Sequence, residues 1–477
     1  MENLPRMEFT NGSQNNKDMD KKDKIDLSVN FAGIKAPNPF WLASAPPTNS
    51  GYQIMKAFDA GWGGAVWKTL GMPTINVSSR YGSTNYGNSR MAGFSNIELI
   101  TDRPLEDNLR EMAEVKKHFP DHAVIASLMV DTRQEWEDII KQVEDAGADG
   151  IELNFGCPHG MCERGMGSAV GQEPEVLKTI VEWVKQAATV PVITKLSPNI
   201  THITDPGLAA VHGKTDAISL INTVKSIVGI DLETYAPYPI VDGKGTNGGY
   251  CGPAVKPIAL HMLKDLMQHP EISNTPISGI GGIETWRDVV EFILLGATSV
   301  QVCTAVMHYG FGIVREMEAG LIDFMENKGY TTIYDFAGKA LPNVTEWKHL
   351  NLKSEVRAKI NEDKCIGCDL CYIACDDGAH QAIALPTDGS RIPLIIEENC
   401  VGCNLCSLVC PVEECITMEK FDDGKEHETW HELTEQNRIP NTWNDDRAGG
   451  KGHYVPEPTE ALKHKRKDKS GINNKTM

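Results

Sequence analysis

Between residues 36 and 310 short apolar runs recur, and amphipathic stretches separate several of them. The runs are PFWLASAP (39–46), GAVWKT (64–69), VIASLM (124–129), GIELNF (150–155), VITKLS (192–197), AISLIN (217–222), PISGIGG (276–282) and SVQVCT (299–304). Most are continuously apolar, as parallel strands covered on both faces are. In EWEDIIKQVEDAGADG, Trp136, Ile139, Ile140 and Val143 recur at helical spacing, and Gly147 stands where the helix can end. Strands and helices alternating in this way over about 250 residues predict an α/β fold closed into a (β/α)8 TIM barrel rather than an open doubly wound sheet.

The ends of these runs are polar or small: Ser44, Lys68, Asn154, Lys195, Asn222, Gly281 and Thr304. The C-terminal ends of barrel strands carry the active site. A lysine inside an apolar strand must meet a partner or a ligand, so Lys68 and Lys195 point to a bound anion or cofactor rather than to the surface. GIGGI (279–283) follows the seventh run, and Cys303-Thr304 end the eighth. Barrels bind phosphate at that place, which suits FMN. A second Gly-rich loop, NFGCPHGMCERGMG, begins at Asn154 and places Cys157 just past a strand end. A thiol there is either a small buried hydrophobe or a chemical group.

Eight of the thirteen cysteines lie between Cys365 and Cys410. They form CIGCDLCYIAC from Cys365 and CVGCNLCSLVCP from Cys400, each a C-x2-C-x2-C-x3-C run. That spacing wraps three thiolates around one 4Fe-4S cube and sends the fourth to the other cube. Cys365, Cys368, Cys371 and Cys410 are therefore assigned to one cluster, and Cys375, Cys400, Cys403 and Cys406 to the second. Zinc sites seldom use this pattern. Pro411 follows Cys410 as the pattern expects, whereas Asp376 stands where the first run would carry proline.

The polar N-terminus lacks the apolar core of a signal peptide, and no apolar run is long enough to span a membrane. A cytoplasmic chain is expected. Its net charge of −19 disfavours nucleic acid and anionic membrane as partners. The basic run KHKRKDK, starting at Lys463, reads as a solvated tail. The expected domains are a disordered segment (1–25), the FMN barrel (26–310), a helical connector (311–355), a two-cluster ferredoxin-like domain (356–420) and an extended tail (421–477). A literal G-x-G-x-x-G, GKGTNG at 243–248, does not open a helix directly, so it is no dinucleotide fingerprint. The chain is therefore not expected to bind NAD itself.

NFGCPHGMCERGMG, NIELI (96–100), ITKLSPN (193–199) and the paired cysteine runs resemble the catalytic subunits of bacterial NAD-dependent dihydropyrimidine dehydrogenase. They are also similar to the C-terminal half of the larger eukaryotic enzyme. The resemblance spans roughly residues 26 to 420. It implies reduction of uracil and thymine to 5,6-dihydropyrimidines, with Cys157 as the general acid. Asn96, Asn154, Asn222 and Thr223 would hydrogen-bond the pyrimidine, with Phe155 and Gly156 beside them. Lys68 and Lys195 would contact the isoalloxazine. Gly252, Gly281, Gly282 and Thr304 would hold the phosphate, and Ser44, Ala45, Thr69, Asn154 and Cys303 complete the FMN set. An FAD- and NAD-binding flavoprotein subunit would complete a heterotetramer. Gly156 departs from a serine frequent in the family, and Cys162 from a glycine. The rival readings are a dihydroorotate dehydrogenase-like enzyme and an electron-transfer subunit with a silent barrel.

Overall fold

The computed structural model describes residues 25–72, 79–86, 89–158, 160–351, 354–387, 389–421, 424, 428–436 and 438. Residues 1–24, His159 and the basic run at Lys463 lie outside them, as does most of the tail from 421. The described part of the tail includes a helix at Trp430–Glu435. The chain divides into two compact units, one ending at Asn343 and the other beginning at Val344.

In the first unit the strands β1 (Phe40–Leu42), β2 (Gly64–Leu70), β3 (Ala123–Leu128), β4 (Gly150–Asn154), β5 (Val192–Lys195), β6 (Ala217–Leu220), β7 (Ile277–Ile280) and β8 (Ser299–Val302) close into a barrel. Each neighbouring pair is parallel, and β8 pairs with β1. Every residue of β2, β3 and β4 is buried, which is why these runs do not alternate. The longer helices are α1 (Gly51–Ala60), α2 (Leu105–His118), α3 (Arg133–Asp145), α4 (Pro174–Ala187), α5 (Thr204–His212), α6 (Lys256–Gln268), α7 (Trp286–Leu294) and α8 (Val314–Lys328), with two short ones at Ser168–Gly171 and Thr304–Tyr309.

Helix α3 shows how local sequence sets an element. Thr132 caps it and Glu135 reaches back to the cap, as a capping box requires. It buries Trp136, Ile139, Ile140 and Val143, and Gly147 takes φ +87° just beyond its end. The segment expected as a connector from 311 divides in two. Helix α8 lays Val314, Met317, Leu321 and Met325 into the barrel core, and the remainder runs on as short 3-10 turns. A hairpin of Val29–Phe31 and Ile34–Ala36 puts Ile34 against Gly150, at the start of β4.

The sequence reading did not anticipate a second sheet. Val224–Ser226, Gly248–Cys251, Ser89–Asn96 and Tyr81–Tyr86 pair in that order as four antiparallel strands. Its strands come from the segments after β2 and after β6. GKGTNG leads directly into one of them, not into a helix.

In the second unit Val356–Ile360 pairs with Ile416–Lys420, and Ile383–Ala384 with Leu394–Ile395. The two cysteine runs repeat one backbone device. Gly367 and Gly402 take φ +61° and +70°, and Asp369 and Asn404 follow in left-handed geometry before the helices Leu370–Gly378 and Leu405–Leu408. A Cβ at Gly402 would stand 2.3 Å from the Val356 carbonyl oxygen, so the turn has no room for a side chain.

Candidate active site

A cleft opens at the C-terminal ends of the strands. It is lined by Ser44, Ala45, Lys68, Thr69, Asn96, Asn154, Cys157, Lys195, Asn222, Thr223, Gly252, Gly281, Gly282, Cys303 and Thr304. Two of the expected site residues are not in the lining. Phe155 is turned into the barrel core, with its amide bonded to the Lys195 carbonyl at 3.3 Å. Gly156 lies behind Asn222, where a Cβ would come within 2.3 Å of the Asn222 Cβ. Glycine at this position is what lets Asn222 approach.

The strand ends are joined by hydrogen bonds. Asn222 Nδ2 donates to Asn154 Oδ1 at 3.0 Å, and Asn154 Nδ2 donates to Thr69 Oγ1 at 2.9 Å. The Thr69 hydroxyl also meets Ser127 at 2.9 Å and Ser44 at 3.1 Å. Asn222 Oδ1 accepts from the Thr223 amide at 2.7 Å. Asn96 sits on the second sheet, where its Nδ2 donates to the Gly249 carbonyl at 3.1 Å. These bonds fix the direction of each amide, which a ring carrying both donors and acceptors needs.

Both strand-end lysines are buried, and each faces a carboxylate that the sequence reading missed. Lys68 Nζ lies 2.9 Å from Glu98 Oε2. Glu98 also accepts from Arg80 at 3.1 Å and from the Tyr81 hydroxyl at 2.8 Å. Burial pushes the Glu98 carboxyl up, but the bonds from Lys68, Tyr81 and Arg80 outweigh it and hold the group below the usual range. Burial, and then Glu98, push the Tyr81 phenol up. Lys195 Nζ lies 3.4 Å from Glu152 Oε1, and Glu152 is fully buried. The signal for Glu152 was present: a lone carboxylate inside the apolar run GIELNF is as informative as a lone lysine.

Cys157 is buried in the loop after β4 and packs on Ile100, Met129, Met161 and Met166. Its carbonyl accepts from the Ser168 amide at 3.0 Å. Gly167 takes φ +58°, and a Cβ there would stand 2.9 Å from that carbonyl oxygen. Cys251, also not anticipated, lines the cleft and donates to the Phe94 carbonyl at 3.2 Å. Burial pushes its thiol up to about 11, against hydrogen bonds with Thr304 and Asn96.

Gly252, Gly281 and Gly282, also in the lining, take φ +91°, +133° and +70°. A Cβ at Gly252 would project to 3.6 Å from Thr304 Cγ2 and narrow the space between them. Within the barrel Gln301 Oε1 is a buried acceptor with no hydrogen-bond partner. Bare glycine backbone and two buried lysines in one cleft fit FMN, a flat ring with a phosphate tail.

In the second unit the cysteines fall into two cavities. Cys365, Cys368, Cys371 and Cys410 line one. Cys375, Cys400, Cys403 and Cys406 line the other. The Ala382 amide donates to Cys375 Sγ at 3.2 Å and the Ala358 amide to Cys400 Sγ at 3.5 Å. Thiolate sulfurs with backbone N–H donors suit iron–sulfur clusters. Cys415 lines the first cavity as well.

This architecture is that of a barrel oxidoreductase with an iron–sulfur module. A family model described as dihydroorotate dehydrogenase matches residues 26–325, and one described as 4Fe-4S dicluster domain matches 358–418. The chain belongs to the dihydroorotate dehydrogenase family, within the branch of dihydropyrimidine dehydrogenase subunits. It is 45% identical over 359 residues to the NAD-dependent dihydropyrimidine dehydrogenase subunit PreA of Escherichia coli, covering 75% of this chain and 87% of that one. It is 44% identical over 352 residues to the chloroplastic dihydropyrimidine dehydrogenase (NADP(+)) of Arabidopsis thaliana, covering 71% and 82%. It is 37% identical over 323 residues to the catalytic subunit of dihydroorotate dehydrogenase B (NAD(+)) of Pyrococcus horikoshii, covering 66% and 98%. The family implies FMN and the second match implies 4Fe-4S clusters. Among the described residues no helix is long and apolar enough to cross a membrane.

Proposed function

We propose that this chain is a catalytic subunit that reduces the 5,6 double bond of uracil and thymine. The observation that carries this reading is that Cys157, three asparagines and Thr223 line one cleft with two buried lysines. FMN, when bound, supplies the hydride that C6 of the ring receives. The Cys157 thiol gives its proton to C5, and the thiolate recovers one from solvent, so the C=C bond gains one hydride and one proton. Asn96, Asn154, Asn222 and Thr223 bind the amide-like edges of the ring. Lys68 and Lys195 would contact the isoalloxazine of FMN, Gly252, Gly281, Gly282 and Thr304 would hold its phosphate, and Ser44, Ala45, Thr69 and Cys303 would complete the set.

Each cysteine-lined cavity would hold one 4Fe-4S cluster, and such clusters would supply one-electron transfer. Hydride from NADH enters a one-electron chain only through another flavin. An FAD- and NAD-binding partner therefore supplies it, in a heterotetramer. Orotate is the less suitable ring: its carboxylate calls for a cation, and both strand-end lysines already face carboxylates. The test is turnover of the dithionite-reduced chain with uracil, thymine and orotate. Uracil or thymine reduction is expected, with none driven by NADH until the partner is added. Orotate as the sole substrate overturns the reading.

A further inference from the structure

The barrel interior holds a charge that the proposed chemistry does not use. Glu152 lies on β4, two residues before Asn154, and is fully buried. Three strands converge on its carboxylate. Lys195, at the end of β5, faces Oε1 at 3.4 Å. Ser219, on β6, donates to Oε2 at 2.8 Å, and Gln301, on β8, donates through Nε2 at 3.2 Å. An ionised carboxylate only accepts, so it dictates which way the Gln301 amide turns. Lys195 and Gln301 both line the cleft, while Glu152 does not.

We propose that Glu152 is a positioning residue for the flavin: it anchors Lys195 and sets the net charge that the isoalloxazine meets. The inference rests on the FMN reading. A buried ammonium close to a reduced, anionic flavin favours the reduced form, and a buried carboxylate behind that ammonium subtracts from its field. The two lysines differ in this respect. Glu98 divides its charge among Lys68, Arg80 and Tyr81, whereas Lys195 is the one cation within ion-pair range of Glu152 among the described residues. The field from the Lys195 side is therefore governed by this single carboxylate.

The test is the midpoint potential of the flavin in the full-length holoprotein, followed by dye-coupled reduction with the clusters tracked separately by EPR. Glu152→Gln keeps the shape and removes the charge. It should shift the flavin midpoint to more positive values while the cluster potentials stay in place. Glu152→Asp keeps the charge but withdraws it, and should give a smaller shift in the same direction. If Glu152→Gln does not retain FMN, Glu152→Asp carries the test alone. An unchanged or more negative flavin midpoint in an FMN-loaded variant overturns the proposal. Wild-type protein that binds no FMN overturns the flavin reading instead.

Discussion

At the residue scale the site consists of charges and amides that would be costly to bury singly. The proposed role of Cys157 as general acid gives the first expectation. Cys157→Ala should keep FMN and iron content while pyrimidine reduction falls by about 10²–10⁴, the usual worth of a positioned acid. Steady-state turnover beside a flavin and iron assay checks it. Glu98 gives a second expectation. Removing one partner of a buried pair typically costs about 3–5 kcal/mol, so Glu98→Gln should be markedly less stable at neutral pH. The pH dependence follows from the direction of the shift. The folded carboxyl titrates below its usual 4.5, so its contribution is complete above that value and is lost as the pH falls through the lower, folded one. Urea midpoints measured by tryptophan fluorescence should therefore drop more steeply on acidification in the wild type than in Glu98→Gln. Lys68 and Lys195 are legible in the sequence because a lysine inside an apolar run has no bland explanation. Glu152 obeys the same logic in GIELNF. Glu98 does not, since NIELI carries no strand signal and its partners Arg80 and Tyr81 are brought to it by the second sheet.

At the scale of elements, continuous burial made the barrel strands readable. Each of the eight runs becomes a strand within a few residues of its expected bounds. The strands of the second sheet were hidden for the opposite reason. YGSTNY and GGYC are glycine-rich and polar, and their pairing depends on partners far along the chain. The loop bearing Cys157 depends on one backbone position. Gly167 combines φ +58° with ψ −125°, a region closed to other residues, and has no room for a Cβ beside Cys157. Gly167→Ala should therefore displace the loop at a strain of about 1–3 kcal/mol and lower turnover at least about tenfold. FMN content should be retained, because the glycines near Thr304 are untouched. Thermal melts and kcat measured side by side will show whether the loss is local.

At the scale of the whole molecule, the two units match two families, one of barrel oxidoreductases and one of 4Fe-4S dicluster domains. The doubled cysteine spacing was legible because ligand geometry imposes it, and the two cavities divide the eight cysteines into the same sets. Cys365→Ser and Cys400→Ser should each lose one cluster and leave the other, with flavin unchanged. Iron and acid-labile sulfide analysis of each variant checks this, and stoichiometric zinc without sulfide in the native protein would contradict it.

The second sheet has a consequence for the order in which this molecule becomes competent. Asn96 bonds to Gly249, 153 positions further along the chain. Closing so long a loop is entropically expensive until intervening structure shortens it, and the barrel strands β3 to β6 lie within that interval. Each half of the sheet pairs locally, Tyr81–Tyr86 with Ser89–Asn96 and Val224–Ser226 with Gly248–Cys251, and it is the junction between the halves that waits for the barrel. A nascent chain released before Gly248 carries Cys157 and both lysines but lacks Gly252, Gly281, Gly282 and Thr304, so the cleft is complete only after synthesis has passed β8.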